Sequence, residues 1–224
     1  KHGVKIEVIG AGISGHKSNQ MLERLERDVL SKNPQWMTLS CGVNDVWHGA
    51  RGISLEDYQK NITAMVDKAQ AVGIKVILLT STMIGEDQAN PNNQKLIPYN
   101  EFLKTLAKQK KCLLVDLNQR MQDAVKKANT PGKNVLTGDG VHMAFPGNVM
   151  MAEGILESVS LDATQLQKTR DLWLDMPQTM SLKFEAKLSA REMARIQAAA
   201  AARGKTPQQC LDEEAGKVID SLKK

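Results

Sequence analysis

The sequence predicts an α/β fold, a doubly wound, flavodoxin-like parallel sheet flanked by helices and followed by a mainly helical appendage. Three observations carry that prediction. Short runs rich in Val, Ile and Leu alternate with longer segments whose apolar residues recur at helical spacing. Glycine-rich or polar loops follow the carboxyl ends of the first two runs. Strands that alternate with helices of about 10–15 residues need crossover connections, and crossovers make neighbouring strands parallel.

The elements follow in order. Residues 4–9 form a β-branched run that ends in a glycine cluster, a strand entering a turn. Residues 18–30 place Met21, Leu22, Leu25, Val29 and Leu30 on one helical face, with Ser18 or Asn19 as cap. Residues 36–41 give the second strand, and 42–52 a polar, glycine-rich loop. Ser54 opens a helix with Asp57 as its capping-box-like partner; Tyr58, Ile62, Met65, Val66 and Ala69 face inward and Gly73 closes it. Residues 74–80 are a strand and 85–93 a loop. A helix is expected around 99–109, a strand over 112–116 and a helix over 117–128. After a loop at 130–147, a last helix covers 147–159.

From about residue 165 the character changes, which divides the chain into residues 1–164 and an appendage, 165–224. The appendage alternates weakly over 182–188, turns Ala-rich and helical over 190–203, stops at Gly204, and restarts at Thr206-Pro207 through 222. That order weakly resembles a ribbon–helix–helix, which would make the appendage a dimerisation element of a homo-oligomer; the alternative is a helical appendage that covers the first domain.

Composition narrows the function classes. A hydrophobic fraction of 42% and a charged fraction of 25% are those of an ordinary globular protein. No run approaches the roughly 20 apolar residues of a membrane span. The net charge of +5 is scattered and only 4% of residues are aromatic, so a nucleic-acid partner is not expected. Cys41, Cys112 and Cys210 are odd in number and far apart, and the four His residues are dispersed. Neither a disulfide framework, a metal site nor a cofactor is expected from them.

Three motifs carry chemistry. Gly10-Ala11-Gly12-Ile13-Ser14-Gly15 spells the dinucleotide fingerprint between a strand and a helix. The acidic residue such a site needs about 20 positions on is missing, since that stretch reads Asn33-Pro34-Gln35-Trp36. A glycine turn is the preferred reading, with a dinucleotide-binding module as an alternative. The second motif, Gly42-Val43-Asn44-Asp45, follows a strand directly. The third, Asp139-Gly140-Val141-His142, precedes the last helix. An imidazole with an adjacent carboxylate suits general-base work on a hydroxyl. The Gly15 backbone N–H and the Asn44 amide are donors for a developing oxyanion.

Together these motifs resemble three of the four sequence blocks of the SGNH/GDSL-type serine hydrolases, in that family's order. Pro98-Tyr99-Asn100-Glu101-Phe102-Leu103 is also similar to the family's helix before its last strand, and the resemblance spans roughly residues 4–159. It implies a hydrolase of carboxylic esters, an esterase or lipase, with O-acylated carbohydrate a common substrate class and no cofactor. By the resemblance Gly15 and Asn44 form the oxyanion hole, His142 is the base and Asp139 its orienting partner. Trp47 and His48 are expected to line the substrate pocket. Such proteins are often secreted or periplasmic.

The pattern breaks in two places. The family's Gly-Asp-Ser block is not in the chain; the sole Gly-Asp is Gly138-Asp139, followed by Gly140. The nucleophilic serine is therefore expected upstream of residue 1, on a strand between the first two strands read here. Without it, the alternative is a non-catalytic binding protein of the same fold. After His142 the sequence runs Met143-Ala144-Phe145-Pro146-Gly147, where the family often has Pro-Asn.

Overall fold

The computed structural model describes residues 6–176 and 187–222. Its sheet has three parallel strands in sequential order, β1 (Trp36–Ser40), β2 (Lys75–Leu79) and β3 (Leu113–Val115). Ser40 pairs with Leu79, and Leu79 with Val115, so the carboxyl ends align. The helices are α1 (Ser18–Asp28), α2 (Val43–Trp47), α3 (Leu55–Ala71), α4 (Pro91–Lys110), α5 (Leu117–Ala128), α6 (Phe145–Ser158), α7 (Ala163–Leu174), α8 (Ala190–Ala202) and α9 (Pro207–Leu222).

Strand alternation sorts the core into two faces. Val76 and Leu78 of β2 join Met37, Leu39, Leu25 of α1, Ile62 and Met65 of α3, and Leu103 of α4. Ile77 and Leu79 point the other way, onto Val115, Leu117 and the α6 residues Met150, Met151 and Ile155. Both faces of β2 are thus covered, which a parallel sheet requires. On β1 only Met37 and Leu39 are buried, and Trp36 is 43% exposed under the Lys75 ammonium.

Several expectations are corrected. Residues 6–9 carry no strand; Ile6 and Val8 are 74% and 85% exposed. Among the described residues no strand pairs with the edge of β1 away from β2, and a β-branched run without a ladder partner gains nothing from extending. The 42–52 loop contains α2 and a 3₁₀ turn at Gly49–Arg51, because the Val46 N–H reaches back to the Gly42 carbonyl. Helix α4 begins at Pro91, not near 99. Asn90 accepts the Asn92 N–H and Pro91 takes the first helical position, so the helix is already running when it meets Pro98.

The first compact unit runs from Lys1 to Met176, beyond the expected 164/165 division. Helix α7 belongs to it: Asp162 and Gln165 form a capping box, and Arg170 pairs with Glu153 of α6. The second unit is residues 177–224. There the expected ribbon over 182–188 lies almost wholly outside the described residues, and Lys187 and Leu188 carry no strand. Ser189 and Glu192 cap α8, and Gly204 turns the chain into α9 with φ +63°, where Arg203 and Lys205 both pair with Glu213. Among the described residues no helix is long and apolar enough to cross a membrane.

Candidate active site

The oxyanion half of the site is assembled by a buried carboxylate. Asp45, 2% exposed in α2, accepts the Ser18 N–H at 3.0 Å and the Ser18 hydroxyl at 2.6 Å. Its other oxygen accepts the Cys41 thiol at 3.2 Å. One side chain therefore bolts the first turn of α1 to the turn that carries Asn44. Asn44 reaches across the same gap, its Nδ2 donating to the His16 carbonyl at 3.2 Å.

Gly15 sits one residue before His16 with φ +77°, in a turn closed by the His16 N–H to the Ile13 carbonyl at 3.3 Å. That is the third position of a type II-like turn, where glycine is favoured. The Gly15 N–H meets no acceptor among the described residues and is available to a ligand. Arg24 steadies the turn, donating to His16 Nδ1 at 3.2 Å and to the Ala11 carbonyl at 2.6 Å.

Gly42 is the second required glycine. Its φ is +132°, and a Cβ there would lie 2.1 Å from Ser81 Oγ. The space is taken because the Ser81 and Tyr58 hydroxyls both donate to the Cys41 carbonyl, at 2.6 and 2.8 Å. Burial first, then the nearby Asp45 carboxylate, pushes the Cys41 thiol well up, so it stays protonated. Beside these turns lies a cavity of about 210 Å³ lined by Ile13, His16, Cys41, Asn44, Ser81 and Thr82 among others. Trp47 and His48, rings 6.3 Å apart at the far end of α2, do not line it.

The base half is a closed loop. Thr137 bridges Met143, the Gly138 N–H meets the His142 carbonyl at 2.9 Å, and the Ala144 N–H meets the Leu136 carbonyl at 2.8 Å. At its tip Asp139 Oδ1 accepts the N–H groups of Val141 and His142 at 3.0 and 2.8 Å, and Oδ2 lies 2.7 Å from His142 Nδ1. The backbone N–H of His142, then its ring, hold the Asp139 carboxyl far below the usual carboxylate range. With Nδ1–H given to a carboxylate, the lone pair sits on Nε2, the tautomer a general base needs. The pair is exposed, His142 by 71% and Asp139 by 57% of their side chains.

The structure thus joins Asn44 to His16, the residue after Gly15, and Asp139 to His142. The base half is tied to the loop after β2, the Gly85 N–H meeting the Gly140 carbonyl at 2.7 Å. The arrangement also bears on the dinucleotide alternative: the first N–H of α1 is occupied by Asp45, where a pyrophosphate would have to sit, and among the described residues no strand leads into Gly10. Among the described residues no group of three metal-binding side chains occurs. Sequence reasoning missed the clamping role of Asp45, which reads locally as an Asx turn, and missed Arg24 and Glu86 altogether.

A parallel α/β sheet with these motifs on the loops around it fits the SGNH class of hydrolases. The chain belongs to the GDSL-like lipase/acylhydrolase family, whose pattern matches residues 1–148. It is 24% identical over 164 residues to an acetylxylan esterase of Geobacillus stearothermophilus, covering 70% of this chain and 74% of that protein. It is 26% identical over 153 residues to the esterase TesA of Pseudomonas aeruginosa, covering 68% and 69%. Among solved structures, the acetyl xylan esterase AlAXEase matches with a TM-score of 0.66 and 37% identity, covering 68% of this chain and 81% of that one.

Proposed function

We propose that the protein hydrolyses carboxylic esters, with acetyl groups on xylan-type carbohydrate as the substrate class. The observation that carries the reading is the Asp139–His142 pair with Nε2 left free, on the chain of a family whose named relatives are esterases. In this mechanism His142 Nε2 takes the proton of a serine hydroxyl as that oxygen attacks the ester carbonyl. Asp139 holds the ring and balances the imidazolium that forms. The Gly15 N–H and the Asn44 amide receive the negative charge on the carbonyl oxygen. The imidazolium then returns its proton to the departing sugar oxygen, and water repeats the sequence to free the acid.

The hydroxyl is assigned to a Gly-Asp-Ser turn on residues preceding Lys1. The serines within the chain fit the role poorly. Ser81 is 2% exposed and its hydroxyl is given to the Cys41 carbonyl. Ser14 adjoins Gly15 in the turn that presents the oxyanion donor, and Ser40 ends a strand. The cavity beside Asn44 has room for an acetyl group. Trp47 and His48 are the residues proposed to meet the sugar.

The test is hydrolysis of p-nitrophenyl acetate and acetylated xylo-oligosaccharide by the full gene product. His142→Ala should cost about a thousandfold in kcat with an unchanged circular dichroism spectrum. A fluorophosphonate probe should label one serine outside residues 1–224. Labelling of Ser14, or full activity in the alanine variant, would overturn the assignment.

A further inference from the structure

We propose that Glu86 is a positioning residue of the base half, a carboxylate that holds the loop bearing Asp139 and His142 in register with the sheet. This rests on the reading of His142 as the base. Glu86 follows β2 in sequence by seven positions, yet every hydrogen bond its carboxylate makes goes to a segment 49–51 residues away. Oε2 accepts the Val135 N–H at 2.6 Å. Oε1 accepts the Leu136 and Thr137 N–H groups at 2.9 and 2.7 Å and the Thr137 hydroxyl at 2.5 Å. Three successive backbone N–H groups and a hydroxyl thus converge on one carboxylate. Thr137 passes the hold on, its oxygen accepting the Gly140 N–H at 3.0 Å, one residue from Asp139.

The other end of the chain of contacts is anchored in the core. Asn93, 2% exposed in the first turn of α4, accepts the Ile84 N–H at 2.7 Å. Its amide donates to the carbonyls of Ile84, Gly85 and Asp87. The backbone on both sides of Glu86 is therefore fixed, and Gly85 itself donates to the Gly140 carbonyl. The result is a continuous path from α4 through Asn93, Glu86 and Thr137 to the dyad.

The dyad needs such a path. Asp139 and His142 are exposed, and among the described residues the hydrogen bonds of their side chains stay within residues 139–142. A base placed about 1 Å off its substrate proton loses on the order of a hundredfold in rate. Holding a loop through ionised-acceptor bonds, which are shorter and roughly twice as strong as neutral ones, limits that drift. A carboxylate that merely plugged a loop would change stability without changing the chemistry of folded molecules.

Glu86→Gln separates the two roles. The glutamine keeps the volume but puts an NH₂ against one of the donors. Hydrogen exchange should quicken about tenfold over residues 135–142, the price of roughly one charge-assisted bond, and stay unchanged in β3. In the full gene product kcat for p-nitrophenyl acetate should fall about tenfold to a hundredfold, with KM within about twofold. Thr137→Val, which removes one bond and leaves the backbone donors, should give a smaller loss, and Glu86→Asp should recover part of kcat. Unchanged exchange at residues 139–142, or an unchanged kcat per folded molecule, would overturn the proposal. If the wild type hydrolyses nothing, the base reading falls, while the exchange result still decides whether Glu86 holds the loop.

Discussion

The two halves of the site use the same device at opposite depths. In the oxyanion half a fully buried carboxylate, Asp45, takes two donors from α1 and a thiol from the end of β1. In the proposed base half the carboxylate, Asp139, is exposed and takes its donors from its own turn. The difference fits the chemistry proposed for each half. On the proposed reading the oxyanion donors must be in place before charge develops; Gly15 is exposed and Asn44 half-buried, and it is the carboxylate joining their two turns, Asp45, that is buried. On the same reading a base must meet a hydroxyl and exchange protons with water, which the exposed position of His142 allows.

The comparison predicts where stability and activity part. The largest loss of stability should come from Asp45→Ala, which strands the Ser18 N–H and hydroxyl in the interior at about 3 kcal/mol. For a unit of this size that lowers the melting temperature by roughly 6–12 °C in a thermal scan. Gly42→Ala comes next, at about 2 kcal/mol, because the backbone is left-handed there and the new methyl displaces Ser81 Oγ. Asp139→Ala inverts the pattern: the melting temperature should stay within error while hydrolysis falls on the order of a hundredfold or more. Equal stability losses for Asp45→Ala and Asp139→Ala would break the contrast between the halves.

A smaller effect sharpens it through pH. Burial raises the Glu86 carboxyl, but the Thr137 hydroxyl and three backbone N–H groups outweigh it, and the group sits below its ordinary 4.5. A lowered carboxylate contributes stability that is present above its unfolded value and lost as pH falls through the folded one. Urea midpoints measured from pH 6 downward should therefore decline below about pH 4.5 in the wild type. The Glu86→Gln variant should begin lower at pH 6 and decline less steeply. Parallel curves would mean that Glu86 contributes nothing to acid sensitivity.

Much of this was legible in the chain. The apolar run of β2 is buried on both sides, and such a run reads as a parallel strand without help from its neighbours. The cap of α3 at Ser54, the turn glycine at Gly15 and the Asp139–His142 spacing are local too, because each bond joins residues within three positions. The motifs were legible for the same reason. Residues 6–9 read as strand because strand propensity is a local quantity, whereas a strand exists only where a ladder partner lies beside it. The start of helix α4 is not legible in the loop-like residues 85–93, where Asn90 caps the helix and Pro91 takes its first position.

The sequence by itself determined the α/β class and the family, and it named the side chains proposed for acyl transfer. Only the tertiary structure decided how those side chains are held. Asp45 meets Ser18 across 27 positions, Asn44 meets His16 across 28, and Glu86 meets Thr137 across 51. A carboxylate acts as a clamp only when its donors arrive from elsewhere in the chain. Which donors arrive is fixed by the packing of helices on the sheet, not by the residues on either side.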